Sequence, residues 1–577
     1  MIIARRIGLY SFALFLLVCA LALMQADGTP AIAQEGLERG PRPELSGFVV
    51  DIRGQAVPAA EVAILVDGEE EAAVHVESNE DGSWVVLLPE MPEESLRIEV
   101  ERQHFESFEV ELSADEFEHF SESRAFGFNE IVLENRLSLG FWVAGIAFVL
   151  TLVLIALERL QNALAALSGI SIVFASTFVL GAFDETFYVI DLERALSFIN
   201  WEVIFLVMGM MIVVGIIEGT GIFQWLSFQA YRVSGGRVWL LIIVLIIITS
   251  VASALLDNVT TMLLMVPISL QIALAVGINP LTLLIPEILA SNVSGISTLI
   301  GTPTNILIGA FADISFNDFL VNQTVGVLLA LVVMTVAVLY FYRDEVRKSG
   351  GSISETLYNK LKENAEIKDR KALRWSLGVF GGMLFFFVIG ESIHMVPAVT
   401  ALLGATVLLL LVEPDIEKML RVVDWTTLVF FMALFMLVGA VQEVGLLGLF
   451  AGALGNIIGA DMTLGIVVMV FGVGLLSFAI ANVPLTAAML PVVRFLSAGM
   501  PGAENNVLYY ALSMGAAMGG NGLIISGETN LMTSGIAERA GYRIPFMEFL
   551  KIGTPVTLLT LATGTGWLYL RFIVSGG

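Results

Sequence analysis

Long apolar tracts in this chain are interrupted by polar, helix-breaking clusters, and the interruptions come twice at nearly constant spacing. Ser253-Ala-Leu-Leu-Asp257-Asn258-Val-Thr260-Thr261 is followed by Ser291-Asn292-Val-Ser294-Gly295 and then by Gly301-Thr302-Pro303-Thr304-Asn305. Further on, Ser477-Phe-Ala-Ile-Ala481-Asn482-Val-Pro484-Leu-Thr486 is followed by Gly519-Gly520-Asn521-Gly522 and by Ser526-Gly527-Glu528-Thr529-Asn530. Trp201 and Trp425, Gly215 and Gly439, Asn258 and Asn482, and Pro267 and Pro491 stand 224 residues apart, while Asn305 and Asn530 stand 225 apart. In hydrocarbon an unpaired backbone amide is costly, so irregular backbone persists there only where protein or water satisfies it. Matched breaks in two halves of one chain point to a substrate site at the membrane midplane.

The rest of the chain fits a membrane setting. It is 57% hydrophobic and 15% charged, and apolar stretches of spanning length recur from about residue 138 to the C-terminus. A single cysteine, Cys19, excludes a disulfide framework, and three of four histidines (His75, His104, His119) lie before the apolar part. Residues 1–33 read as a signal peptide or anchor helix: Arg5 and Arg6, an apolar run to about Met24, then Ala31-Ile-Ala33 as a cleavage candidate. Of the net charge of −26, residues 34–136 carry 26 acidic and 7 basic side chains, or −19. This acidic segment reads as a solvated surface in an external compartment, or as a vestibule that attracts cations.

Within it, residues 45–134 alternate apolar and polar positions, split by turn signals such as Asp67-Gly68 and Asp81-Gly82, which predicts a small antiparallel β-sandwich. Gly47-Phe-Val-Val-Asp51-Ile-Arg-Gly54-Gln-Ala-Val-Pro58-Ala-Ala60-Glu-Val62, with Asp81-Gly82-Ser-Trp84, resembles the carboxypeptidase regulatory-like domain. That resemblance implies a prealbumin-like sandwich without catalysis.

Charge orients the membrane part. The polar loop 343–374 carries nine basic residues, Arg343, Arg347, Lys348, Lys360, Lys362, Lys368, Arg370, Lys371 and Arg374, which places it in the cytoplasm. Transport repeat 1 (138–342) then starts outside and ends inside, and repeat 2 (375–577) starts inside and ends outside, with Arg494 the discordant charge. Each repeat makes an odd number of crossings, so the two are inverted. The expected fold is a polytopic α-helical membrane protein with inverted repeats, built of re-entrant hairpins and broken helices and preceded by a small extracytoplasmic β-sandwich. Its location is a bacterial inner or plasma membrane, with 45–134 outside the cytoplasm.

Asp257-Asn258 and Asn482-Val-Pro484 fall where hairpin tips belong, and Gly301-Thr-Pro303 and Ser526-Gly527-Glu528 break spans. Free amides at new helix N-termini favour anions, while freed carbonyls and carboxamides coordinate sodium or similar cations. A lone asparagine can simply join two helices. Four breaks in matched pairs argue for a site. The candidate substrate- or ion-binding residues are Asp257, Asn258, Thr260, Thr302, Thr304, Asn305, Asn482, Thr486, Asn521, Glu528, Thr529 and Asn530. The halves differ chemically: Asp257 corresponds to Ala481, and Glu528 to Pro303. Carboxylates inside a membrane are functional candidates by default, so Asp257 and Glu528 are the expected coupling carboxylates. Glu218, Glu287 and Glu443 are further ionisable residues near apolar spans, with Glu218 and Glu443 expected at interfaces.

Ser253-Ala-Leu-Leu-Asp257-Asn258-Val-Thr-Thr, Thr298-Leu-Ile-Gly301-Thr-Pro-Thr-Asn305, Gly519-Gly-Asn521-Gly522 and Gly535-Ile-Ala-Glu-Arg-Ala-Gly-Tyr542 resemble the ion transporter superfamily over 138–577. That group takes in arsenite permeases, sodium–proton antiporters, citrate-type carriers and the P protein. The resemblance implies secondary active transport of a small ion or small anion coupled to protons or sodium, elevator-type alternating access, and a homodimer. Sodium–proton antiport is an alternative within the superfamily. A membrane-anchored receptor whose β-sandwich binds a ligand is an alternative from another class. The chain shows no P-loop, no nucleophile–base pair and no multi-cysteine metal site, and it calls for no enzyme activity, cofactor or nucleic-acid partner. Its partners are membrane lipid and the transported ions, and the only metal in view is transported sodium.

Overall fold

The computed structural model describes residues 43–576 apart from 52–55, 69–71, 80, 93–94, 129, 135, 158–159, 348–361, 364, 460 and 501. The leader at 1–33, Glu158 and Arg159, and part of the basic loop, including Lys348 and Lys360, lie outside the described residues. The chain divides into two compact units after Glu134.

The first unit has two four-stranded sheets. One joins β2 (Glu61–Val66), β3 (Val74–Glu77), β5 (Leu96–Glu101) and β6 (Phe108–Glu111), all antiparallel. The other joins β1 (Glu44–Asp51), β4 (Ser83–Leu87), β7 (Ala125–Gly127) and β8 (Ile131–Leu133). Alternation does what it should: Val62, Ile64, Ile98 and Val100 turn inward with Leu45, Val49 and Trp84 to make one core. The Asp67-Gly68 and Asp81-Gly82 turns hold left-handed glycines at φ +75° and +77°. The sheets are not wholly antiparallel, however, because β7 and β8 both pair with β1 in parallel. A helix the alternation did not reveal, α1 (Ala114–Ser123), follows β6, and the chain enters β7 running the same way as β1.

The second unit is helical. Eight of its described helices are long and apolar enough to cross a membrane, by length and composition. Two sets of elements recur in the same order. In the first half, α2 (Leu139–Ala156), α3 (Asn162–Leu180) and α4 (Trp201–Gly219) lead to α5 (Ile222–Ser234). A helical hairpin, α6 (Val238–Leu255) and α7 (Asn258–Val276), is next. A broken helix, α8 (Leu281–Ser294) and α9 (Pro303–Ala312), and the long α10 (Phe316–Phe341) close the half.

The second half repeats this as α11 (Arg370–Ile389), α12 (Pro397–Val412), α13 (Trp425–Glu443) and α14 (Leu446–Ile458). Its hairpin is α15 (Met462–Leu476) with α16 (Asn482–Gly499), its broken helix α17 (Val507–Gly519) with α18 (Glu528–Arg539), and its last span α19 (Phe546–Leu568). Pro267 and Pro491 sit inside α7 and α16 at matching places.

The hairpin arms α6 and α7 are 18 and 19 residues long, about 27–29 Å at 1.5 Å per residue, so length alone would let them cross. Contacts place the tip instead. Ser253 Oγ donates to Ser291 O at 2.8 Å, and Thr298 Oγ1 donates to Ala254 O, so the tip lies against the break between α8 and α9. The second half repeats the contact: Ser477 Oγ donates to Ala516 O at 2.9 Å. A hairpin tip at the level of a mid-helix break is re-entrant.

Glycine makes the first break possible. A Cβ on Gly295 would fall 2.5 Å from Gly301 O, and one on Gly301 would fall 2.5 Å from Gly295 O. The halves interlock crosswise: α18 packs on α7, and α9 packs on α16.

Candidate transport site

Each break frees carbonyls that a membrane cannot hydrate, and one carboxamide in each half takes them up. Asn305 Nδ2 donates to Ile296 O at 2.9 Å and Thr298 O at 2.8 Å, with Gly295 O at 3.4 Å. Asn530 Nδ2 donates to Gly520 O at 2.7 Å and Leu523 O at 2.9 Å. The acceptors ten and seven residues back are the same in both cases, so these asparagines hold their breaks in shape by one device.

Their Oδ1 atoms face the other half. Ser513 Oγ donates to Asn305 Oδ1 at 2.5 Å, and Asn292 Nδ2 donates to Asn530 Oδ1 at 3.0 Å and Asn521 Oδ1 at 2.8 Å. Asn258 Nδ2 donates to Asn292 Oδ1 at 3.0 Å, and Asn521 Nδ2 returns to Leu289 O at 3.1 Å. Asn292 is thus the hub between hairpin tip, broken helix and opposite half. It is absent from the expected set, although every residue of α8 is buried and a carboxamide there needs partners.

The four helix N-termini are not alike. Asp257 is the N-cap of α7 and accepts from Thr260 N at 2.8 Å. Glu528 begins α18, is half-buried, and accepts from Asn162 Nδ2 at 3.0 Å. Since α18 packs on α7, Asp257 lies within Coulomb reach of Glu528, as does Asp424. Asn162 and Asp424 stand at helix starts that the charge pattern assigns to the cytoplasmic end.

The other two N-termini carry no acid. α9 starts from Thr302 and Pro303, and α16 from Ala481 and Asn482, and neither has a side-chain cap. Thr302 and Thr304 bond each other at 3.1 Å, and Asn482 Oδ1 takes only its neighbour Val483 N. Arg494 projects over the Phe311 ring at 6.0 Å, twelve residues past Asn482 and eight past Pro303. The two helices therefore run side by side, and that basic charge is far from their N-termini. Thr486 Oγ1 and Asn258 Oδ1 are buried with no partner. Thr529 is buried beside Asn530, and Thr260 is half-buried.

Three other glutamates separate. Glu218 lines a cavity of about 790 Å³ with Glu363, Glu366 and Lys368 of the basic loop. Glu443 is half-buried, with its side chain 8% exposed, and meets Arg194 of the first half at 3.4 Å. Glu287 is wholly buried. Among the described residues no cluster of three or more His, Cys, Asp or Glu side chains is placed to hold a metal ion.

Two hairpins and two broken helices, interlocked around buried carboxamides in a bundle of spanning helices, define an integral membrane transporter. The chain belongs to the citrate transporter family, CitMHS, whose profile matches residues 152–515. It is 34% identical over 438 residues to a 46 kDa membrane protein of Mycobacterium leprae, covering 75% of this chain and 99% of that one. It is 31% identical over 502 residues to the human P protein, covering 73% of this chain and 59% of that protein. The crystal structure of the YdaH transporter of Alcanivorax borkumensis has the same fold, with a TM-score of 0.51 at 13% identity over 76% of this chain and 98% of that one. Family membership sets the chain among transporters and not among enzymes.

Proposed function

We propose that the chain is a secondary active transporter that moves a small anion together with a coupling cation, a proton or sodium. The division of the four helix N-termini carries this reading. The ends of α9 and α16 carry no acid in their first turn and present a positive dipole end, which suits an anion. The acidic ends of α7 and α18 repel an anion until a cation neutralises them, and that requirement is coupling. The carboxylate-bearing network is tied into one body through Asn292, and this body moves as a unit in an elevator-type cycle. Citrate-type anions are the first candidates, on the name of the family alone.

Sodium–proton exchange is the second reading, favoured by the proximity of Asp257 and Glu528. Flux in proteoliposomes separates them. Citrate-like anions, arsenite and sodium are offered with and without a pH gradient. Anion uptake that needs a proton or sodium gradient supports the first reading; sodium uptake driven by protons, with no anion requirement, supports the second. No flux of any of them rejects both.

A further inference from the structure

Glu287 lies in α8, in which every residue from Leu281 to Ser294 is buried, and its own side chain is 0% exposed. Its Oε1 accepts a hydrogen bond from Ser269 Oγ at 2.7 Å. Its Oε2 is buried and has no partner. The helices α6, α7, α10, α17, α18 and α19 pack against α8, and none of them turns a charged or titratable group towards Glu287. A carboxylate here is an uncompensated charge in a low-dielectric interior. A protonated carboxyl here has an O–H with no acceptor. The arrangement satisfies neither form fully, as expected of a group whose proton leaves and returns.

The surroundings connect this group to the site. Ser269 lies on α7, the hairpin arm whose first turn is capped by Asp257. One helical turn along α8 from Glu287 is Ser291, whose Oγ reaches Ser253 Oγ at 3.0 Å and Asn258 O at 3.2 Å. The next residue, Asn292, is the hub of the carboxamide network. On the charge-derived topology, α8 starts at the cytoplasmic end, so Glu287 lies between that end and the hub.

We infer that Glu287 is a proton-binding site of the transporter apart from Asp257 and Glu528, exchanging its proton through Oε2 and communicating with the hairpin through Ser269. In the exchange, the O–H bond at Oε2 breaks, the electron pair stays on the carboxylate, and the proton passes to a water entering from the cytoplasmic end; uptake is the reverse. One hydroxyl beside one carboxylate is too sparse a shell for a dehydrated sodium ion, so the ligand is the proton. The inference rests on the cation-coupled reading of the transport site, but its test does not depend on flux alone.

Infrared difference spectra of the purified protein in liposomes, recorded as pH is raised, read the carboxyl C=O band directly. The wild type is expected to lose a buried-carboxyl band that Glu287→Gln lacks throughout. Ser269→Ala should keep the band but shift its titration, since the bond that favours the charged form is gone. In flux assays, Glu287→Gln should still bind and move substrate but with a lower proton-to-substrate ratio, and Glu287→Asp should restore titration. A band that never titrates, or Glu287→Gln with wild-type proton movement, overturns the inference, as does a titration that follows sodium instead of pH. If the wild type carries no flux, the transport reading fails, and the infrared titration still decides whether Glu287 exchanges its proton.

Discussion

The α7–α18 and α9–α16 pairs have the same geometry and opposite chemistry. Both consist of a hairpin arm from one half against a half-helix from the other, and both begin at breaks whose carbonyls are held by an equivalent asparagine. One pair begins with Asp257 and Glu528, the other with Ala481 and Pro303. The two cradles are thus alike in backbone and differ at their helix starts, where one carries two acids and the other none. The position that differs is the one where a side chain acts most strongly on a helix, its N-cap and first turn.

Removing the charge from the acidic pair should have the largest effect. Asp257→Asn keeps an N-cap of equal quality, so the melting temperature should stay near wild type. Gradient-driven flux should fall by about tenfold or more, equivalent to about 1.4 kcal/mol or more. Uptake and thermal melting measured on one preparation check this. A variant with wild-type coupling would remove the basis for calling this pair the cation cradle.

Adding a charge to the neutral pair is the converse. Ala481→Asp recreates at α16 the cap that Asp257 gives α7. An acid at a partly buried helix start is worth about 1–2 kcal/mol, so the apparent KM for the anion should rise about 5- to 30-fold. Coupling to the cation should persist. An unchanged KM would mean that the anion does not approach the α16 N-terminus.

The carboxamides that hold the breaks test what the two pairs share. Asn305→Ala and Asn530→Ala each strip donors from buried carbonyls, at about 1–3 kcal/mol apiece. Thermal unfolding in detergent should show similar losses, because both asparagines serve acceptors ten and seven residues back. Only Asn530→Ala also removes an acceptor from Asn292, so it alone should weaken cation coupling.

Much of this was legible in the chain because the repeat compares it with itself. Asparagine stands at both 258 and 482 and at both 305 and 530, while Asp257 faces Ala481 and Glu528 faces Pro303, so both likeness and asymmetry can be read without a structure. Along the chain that asymmetry gives one carboxylate to each half. Crosswise packing brings the two together, and no spacing along the chain encodes which half-helix meets which arm. The same limit hid Asn292, Asn162 and the depth of Glu287, since burial in a bundle depends on neighbours hundreds of residues away. In the β unit, alternation located the strands but not the direction of β7 and β8, which depends on how the chain returns after α1.

The smallest effect comes from the same carboxylate–amide contact made in water. At the start of α1, Ser113 donates to Glu116 Oε2 from its hydroxyl at 2.6 Å and from its backbone N–H at 3.0 Å. The hydroxyl first, then the amide, holds the Glu116 carboxyl below the ordinary glutamate value of 4.5. A folded-state value below the unfolded one means the contact stabilises α1 above the unfolded pKa and is lost as pH falls through the folded one. Hydrogen exchange at the amides of 114–123 should therefore be faster in Ser113→Ala than in wild type at neutral pH, and the difference should vanish in acid. Because Glu116 is exposed, solvent screens the contact and the change should be slight, whereas Asp257 makes its cap inside the bundle, where removing the charge should lower gradient-driven flux by about tenfold or more. A neutral-pH effect of Ser113→Ala as large as that of Asp257→Asn on its own readout would show that burial is not what gives the acidic cradle its role.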